Sequence, residues 1–166
     1  MSSASGVQPD EECIQVYKNL KDRRKVDGET LKYVIYRLNK VGVNGWTIVV
    51  DKTSSDPDYE TFLGDLPEAE PRWAVYDFEY DLGDAGKRNK LIFVSWSPDA
   101  PAVTQAARAQ KMVFASSKDA FRRALDTFGT DIQANELDDI SVENGMYFPH
   151  LHPLSILLTV TLYSSS

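Results

Sequence analysis

Cysteine is almost absent from this sequence. The single one, Cys13, cannot form an internal disulfide and has no thiol partner for a cysteine-ligated zinc site. A chain of 166 residues can bury a core large enough to fold without disulfides or a structural metal. We therefore expect one globular domain in a reducing, intracellular compartment.

Long hydrophobic runs are also missing. The longest, residues 154–162, is interrupted by a serine and two threonines and is far shorter than the roughly 20 residues that cross a membrane. The first nine residues are mostly small and polar, without the cationic start and apolar core of a secretory signal. The sequence therefore predicts a soluble protein with no membrane span.

Positive charge is in the minority. Lys and Arg number 18 against 25 Asp and Glu, a net charge of −7, which disfavours nucleic acid as a partner unless the basic residues are segregated. The hydrophobic share of 42% and the aromatic share of 11% are ordinary for a folded domain and exclude disorder of the whole chain.

Motifs of enzyme chemistry are scarce. The sequence has no G-x-S-x-G nucleophile elbow and no Walker or dinucleotide-binding glycine pattern. His150 and His152 form an H-x-H pair, but no third ligand lies nearby, so a polar tail is favoured over a metal site. An enzyme is therefore the weaker class, and we expect no cofactor.

Periodicity in the first half predicts two helices and a strand pair. Apolar residues at helical spacing indicate a helix over residues 10–21. A charged connector over residues 22–29 ends in the turn signal Asp27-Gly28. Two β-branched segments, residues 31–39 and 46–52, suit an antiparallel hairpin. A short second helix should carry Tyr59, Phe62, Leu63 and Leu66 and stop at Pro67.

The second half predicts three strands and an interrupted helix. Residues 72–80 alternate like a half-exposed strand, and the apolar run at 90–96 is typical of a central strand covered on both faces. A helix over residues 101–115 should break at Ser116 and restart to Leu125, closed by Gly129. With a strand at 130–135, the pattern predicts an α/β or α+β fold with a mixed sheet of about five strands between helices.

The predicted helix around residue 111 is unusually basic. Residues 101–125 hold five basic residues against one acid, which suits an acidic partner surface with an apolar groove for a residue such as Met112. Arg108 and Lys111 lie three residues apart, on one helical face. Taken alone, these residues favour a solvated basic face over a binding surface.

An ordered series of short segments resembles the actin-depolymerising factor and cofilin family, and fungal cofilins most closely. The series begins with Ser5-Gly6-Val7 and runs to about residue 143. Its other members are TSSD at 53–56 with Tyr59 and Phe62-Leu63, YDFEY at 76–80, GKRNK at 86–90, WSPD at 96–99 and KMVFASSKDA at 111–120. The order of the segments makes the resemblance specific, since each one alone is weak.

The resemblance implies a cofilin-like fold, that of the ADF-homology domain, over residues 10–144, preceded by a flexible arm at 1–9. It implies binding to actin monomers and filaments, with a preference for the ADP form, followed by severing and depolymerisation without covalent chemistry. The implied setting is a monomer in the cytoplasmic actin cytoskeleton, with the nucleus left open. Phosphoinositides and accessory proteins that assist cofilins are the other implied partners.

The resemblance also implies site residues. The actin-binding set comprises Ser5, Gly6, Val7, Arg108, Lys111, Met112 and a filament-side cluster of Lys87, Arg88 and Lys90. Arg122 and Arg123 correspond to a phosphoinositide site, and Ser5 to a regulatory phosphorylation site. One departure concerns Arg108, because the family usually places its arginine two residues before the lysine and here the spacing is three.

The C-terminal segment departs from the family. Residues 145–166 contain no Lys, Arg, Asp or Glu, whereas the family expects a charged terminal helix that contributes to filament binding. One hypothesis is a translated intron, since Gly145-Met146-Tyr147 can be encoded by a splice-donor sequence. The departure keeps open an alternative function, a coactosin-like or twinfilin-like module that binds actin without severing.

Overall fold

The computed structural model describes residues 6–81, 83–101, 104–126 and 130–141. They form a six-stranded mixed sheet with helices on both faces, which confirms the predicted fold class. The strands of the main sheet are β1 (Gln8–Pro9), β4 (Tyr33–Val41), β5 (Gly45–Ser54), β6 (Arg72–Asp81), β7 (Lys87–Trp96) and β8 (Thr130–Ala134). A separate hairpin consists of β2 (Lys25–Val26) and β3 (Glu29–Thr30).

Three helices complete the fold: α1 (Glu11–Lys21), α2 (Tyr59–Gly64) and α3 (Gln105–Leu125). Asp10 caps α1, because its carboxylate accepts a hydrogen bond from the backbone amide of Cys13 at 2.9 Å. Asp58 caps α2 in a similar way, since its carboxylate accepts a hydrogen bond from the backbone amide of Glu60 at 3.0 Å. Both polar residues satisfy amides at a helix start that have no partner within the helix.

The main sheet runs in the order β1-β5-β4-β6-β7-β8. The strands from β5 to β7 pair antiparallel, and the two edge strands, β1 and β8, pair parallel to their neighbours. Helices α1 and α3 cover one face, in a core with Trp73, Phe93 and Phe121. Helix α2 and a 3-10 turn at residues 137–140 cover the other, where the Tyr59 hydroxyl donates to the Ile140 carbonyl at 2.6 Å.

Several predictions about elements need correction. The arm expected over residues 1–9 is wrong for its last residues, because Gln8 and Pro9 pair with β5 and Val7 is buried. The connector at 22–29 contains the strand β2, which pairs with β3 around the predicted Asp27-Gly28 turn. The predicted hairpin and the predicted strand at 130–135 are confirmed, and every observed end lies within two residues of the predicted one.

Strand β6 is buried on both faces rather than half-exposed. Trp73 and Val75 belong to one core, and Ala74 and Tyr76 to the other. Both faces of the strand are covered because α1 and α3 pack on one face of the sheet and α2 packs on the other. Of its polar residues, Arg72 and Asp77 are also buried, whereas Glu79 is exposed.

Helix α3 is continuous through the predicted break. Ser116 donates its hydroxyl back to the carbonyl of Val113 at 3.2 Å, a bond that a helix interior accommodates. Phe114 and Phe121 lie seven residues apart, two turns, and both are buried against the same core. Burial of that stripe outweighs the capping signal at Ser116. Gly129, the predicted end signal, lies outside the described residues; the helix ends instead with Asp126 in a left-handed conformation.

Candidate functional site

The strand directions sort the predicted site residues between two ends of the sheet. Strand β7 ends at Trp96, and β8 runs parallel to it after α3, so α3 must return in the opposite direction. Strand β7 pairs antiparallel to β6, β6 to β4 and β4 to β5. The start of α3, the end of β4 and the start of β5 therefore lie at one end, which we call the Trp96 end. The start of β7 lies at the other, which we call the Lys87 end.

The Trp96 end carries the basic start of α3. Arg108 is exposed, and Met112 keeps 74% of its surface accessible although it is apolar. These two residues are four apart and so share one helical face. Together they present a charge beside an apolar side chain, the combination predicted for an acidic partner surface.

Lys111 differs from Arg108, because its ammonium group already has partners. Its Nζ donates to the carbonyl oxygens of Pro98 and Ala100, at 3.1 and 2.9 Å. The lysine thus ties the middle of α3 to the loop that follows β7. A groove of about 280 Å³ lies against this loop, lined by Trp96, Pro98 and Leu137 among others. Sequence reasoning missed the tie, since it depends on where the loop runs.

The chain before β1 reaches the same end. Thr47 donates its hydroxyl to the carbonyl of Gln8 at 2.9 Å, and the register pairs Gln8 with Thr47 near the start of β5. Gly6 adopts a positive φ of 69°, and Val7 is 4% exposed. Gly6 and Val7 are thus brought to the Trp96 end, whereas Ser5 lies outside the described residues.

The Lys87 end carries the second predicted cluster. Lys87 and Arg88 are exposed and Lys90 is half-buried. Lys87 pairs with Glu79 at 3.3 Å across the β6–β7 ladder, an exposed pair that contributes little to stability. The structure therefore places Lys87, Arg88 and Lys90 at the opposite end of the sheet from Lys111.

A buried carboxylate beside this cluster escaped sequence reasoning. Asp77 accepts hydrogen bonds from Arg23 at 3.1 Å and from Asn89 at 3.0 Å. Burial raises the pKa of Asp77, while the positive charges of Arg23 and Lys32 act against that rise. Burial likewise lowers the pKa of Lys32. No local pattern pairs Asp77 with Arg23, since they are separated by 54 residues.

The two arginines near the end of α3 have different surroundings. Arg122 pairs with Asp131 at 2.9 Å, and Lys118 reaches the same carboxylate at 3.0 Å. The guanidinium of Arg122 also lies 5.6 Å from the centre of the Phe93 ring. Arg123 is exposed. Of the pair, Arg123 is thus the one whose side chain faces solvent.

Comparison with solved structures defines the class of the fold. A cofilin structure from Streptomyces griseoflavus superposes with a TM-score of 0.67 at 47% identity, covering 84% of this chain and 93% of that one. A coactosin from Entamoeba histolytica gives a TM-score of 0.64 at 18% identity, covering 98% and 99%. The coactosin likeness shows the fold alone.

Sequence comparison is more specific. A cofilin from Schizosaccharomyces pombe is 45% identical over 85% of this chain and 93% of its own length. One from Mycosarcoma maydis is 46% identical over 84% and 91%. The family model described as cofilin/tropomyosin-type actin-binding protein matches residues 6–146. The chain therefore belongs to the cofilin/ADF family of actin-binding proteins, which confirms the resemblance found in the sequence.

Proposed function

We propose that this chain binds monomeric and filamentous actin, with a preference for the ADP form, and promotes filament severing and depolymerisation. The main support is its identity of 40–47% to fungal cofilins over most of its length. Among the described residues, no helix is long and apolar enough to cross a membrane. The proposed place of action is the actin cytoskeleton of the cytoplasm, with the nucleus as a second compartment.

The proposed monomer-binding surface is the Trp96 end. Arg108 and Met112 would face actin directly, with the arginine on an acidic rim and the methionine in an apolar groove. Gly6 would add the arm to the same interface, and Val7, whose side chain is buried in the core, would anchor the arm there. Lys111 would contribute through the loop it holds as well as through its charge, because two carbonyl oxygens already occupy its ammonium group.

The proposed filament contact is the Lys87 end. This end carries Lys87, Arg88 and Lys90, and it is the opposite end of the sheet from Arg108 and Met112. A molecule with a binding surface at each end can contact two actin subunits at once. By binding the second subunit, it can weaken the contact between the two. Filament binding should thus need both ends, and monomer binding only one.

Two regulatory sites complete the proposal. A phosphate on Ser5 adds about −1.5 to −2 charges and would repel an acidic actin surface. For phosphoinositides, Arg123 is the stronger candidate, since Arg122 is engaged with Asp131. The protein would act as a monomer. The test of Ser5 is Ser5→Asp, which should weaken actin binding; unchanged affinity would remove this part of the proposal.

The activity is tested by pairing pyrene-actin disassembly with filament cosedimentation. Faster disassembly together with filament binding supports the proposal. Binding without disassembly supports the coactosin-like or twinfilin-like alternative, and no binding removes both. Two charge reversals separate the surfaces: Arg108→Glu should weaken binding to monomers and filaments alike, whereas Lys87→Glu should weaken binding to filaments alone.

The domain limits form a separate proposal. We propose that the actin-binding domain predicted at residues 10–144 begins earlier, at residue 6, because Val7 is buried and Gln8 and Pro9 pair with β5, and that 145–166 is a segment outside it. The match of the family model, which ends at residue 146, supports the second limit. Residues 145–166, with His150 and His152, lie outside the described residues. Sequencing the mature transcript tests the intron hypothesis, which a continuous open frame through codon 166 would contradict.

A further inference from the structure

The turn between β4 and β5 exposes apolar side chains. In this turn, which we call the 41–45 tip, Val43 is 84% exposed and Val41 52%. The glycines are set by backbone geometry: Gly42 has a φ of 63°, and a Cβ on Gly45 would lie 2.5 Å from the carbonyl oxygen of Val41. No comparable requirement of the backbone explains why residue 43 is a valine. A β-branched residue is a poor choice for an exposed turn on propensity alone.

The exposed apolar residues are not scattered evenly. The described part of the chain has five large hydrophobic residues classed as exposed: Val26, Val41, Val43, Met112 and Leu137. Four belong to the Trp96 end, since β4, β7 and β8 all finish there and α3 begins there. Val26 lies in the β2–β3 hairpin, which leads into the start of β4 and so lies at the other end. Single exposed apolar residues are ordinary, but their collection at one end marks an interaction surface.

The tip also adjoins the arm. Strand β1 pairs parallel to the start of β5, with Gln8 opposite Thr47 and Pro9 opposite Ile48. Gly6 and Val7, which precede Gln8, therefore run beside the residues that precede Thr47, which are Trp46 and Gly45 at the end of the tip. The 41–45 tip thus continues the surface assigned above to Gly6, Val7 and the start of α3.

The charge of the tip matches that surface. From residue 39 to residue 50 the sequence contains Lys40 and no acidic residue, although the chain as a whole carries −7. The Lys40 ammonium lies 6.0 Å from the centre of the Trp46 ring, and Trp46 is half-buried. An apolar tip with one positive flank repeats the chemistry of Met112 and Arg108.

We propose that the 41–45 tip is a further actin contact, in which Val43 packs against an apolar patch of actin and Lys40 faces an acidic rim. The proposal rests on the proposed function. Actin is favoured over a second copy of this chain, because the tip continues the proposed actin surface and shares its charge. The contact lengthens the interface toward the edge of the sheet that carries β1.

The test compares Val43→Ser with Val26→Ser, a matched change on an exposed valine at the opposite end. Affinity for actin monomers is measured by fluorescence titration, and folding by thermal unfolding. Burying part of a valine side chain stabilises a complex enough to shift its affinity several-fold. We expect Val43→Ser to weaken binding about three- to tenfold and Val26→Ser to leave it unchanged, with both variants melting like the parent.

Three outcomes would overturn the proposal. The first is full affinity in Val43→Ser while the parent binds, which leaves the proposed function standing. The second is an equal loss in both variants, which would mean that any exposed valine matters. The third is parent self-association in sedimentation that Val43→Ser abolishes, which would assign the tip to a second copy. Failure of the parent to bind actin at all would instead remove the proposed function.

Discussion

The ammonium group of Lys111 lies 2.9 Å from the carbonyl oxygen of Ala100. This contact joins the helix that carries Arg108 and Met112 to the loop that leaves β7. A charged donor on a carbonyl is stronger than a neutral hydrogen bond, and a second carbonyl, that of Pro98, shares the same ammonium. The residue that the sequence marks as an actin contact is thus also a structural tie within the free protein.

Replacing Lys111 should therefore loosen the loop before actin is added. We expect Lys111→Met to speed amide hydrogen exchange at Ser97, whose amide donates to the carbonyl of Ala134 at 2.9 Å, by at least tenfold and to weaken actin binding. Lys111→Arg, which keeps the charge and several donors, should largely restore slow exchange. Met112→Ala is the control, expected to weaken binding with unchanged exchange. Unchanged exchange in Lys111→Met would show that the tie does not order the loop.

Tyr33 should make stability depend on pH in the alkaline range. Burial, with the hydrogen bond it donates to Asp65 at 2.6 Å, raises the pKa of Tyr33 to about 12. The folded protein therefore holds the phenol proton more tightly than the unfolded chain, whose pKa is about 10. The free energy of unfolding should fall as pH rises from about 10 to about 12, and Tyr33→Phe should make that fall shallower in urea titrations. An identical slope in the variant would contradict the assignment.

Tyr36 offers the opposite case on the same strand. Its hydroxyl is buried and has no hydrogen-bond partner among the described residues, so it carries a desolvation cost without compensation. We expect Tyr36→Phe to leave the free energy of unfolding at neutral pH unchanged or to raise it by about 1 kcal/mol. Tyr33→Phe, which loses a bond to a carboxylate, should lower it by about 1.5 to 3 kcal/mol. A large loss in Tyr36→Phe would mean that its hydroxyl has a partner.

Cys13 should report on unfolding rather than on redox chemistry. The side chain is fully buried, and its thiol donates to the carbonyl of Ile48 at 3.3 Å. Burial raises the pKa of the Cys13 thiol, and the nearby Asp10 raises it further, so the reactive thiolate is strongly disfavoured. We expect a thiol reagent such as DTNB to label the native protein no faster than the protein unfolds, and to label it at once in denaturant. Rapid labelling without denaturant would refute this.

Local patterns predicted the elements whose cause is local. The alternation of β-branched residues at 31–39 and 46–52 and the glycines between them specify a hairpin by themselves, and β4 and β5 form there. The helix cap at Asp10 is equally local. The sequence could not show that β6 is covered on both faces, because that depends on where α1, α2 and α3 pack on the folded sheet.

The candidate site divides in the same way. Arg108 and Met112 are found from composition and helical spacing, and both are exposed as expected. The tie between Lys111 and Ala100 and the pairing of Asp77 with Arg23 depend on chain segments that meet only after folding. The sequence also did not predict that α3 is continuous. The capping signal at Ser116 is local, whereas the burial of Phe114 and Phe121 depends on the sheet beneath the helix.

One strand connects the two proposed contact regions without a hinge. Strand β7 starts at Lys87, finishes at Trp96 and has ten residues, a length of about 33 Å at 3.3 Å per residue. It pairs with β6 along its whole length and with β8 from Ile92 to Trp96, which makes it a stiff spacer. Under the proposed function, the separation between the two contacts with actin is fixed by backbone dimensions, so a filament with a different subunit spacing would have to change its twist to accept the protein.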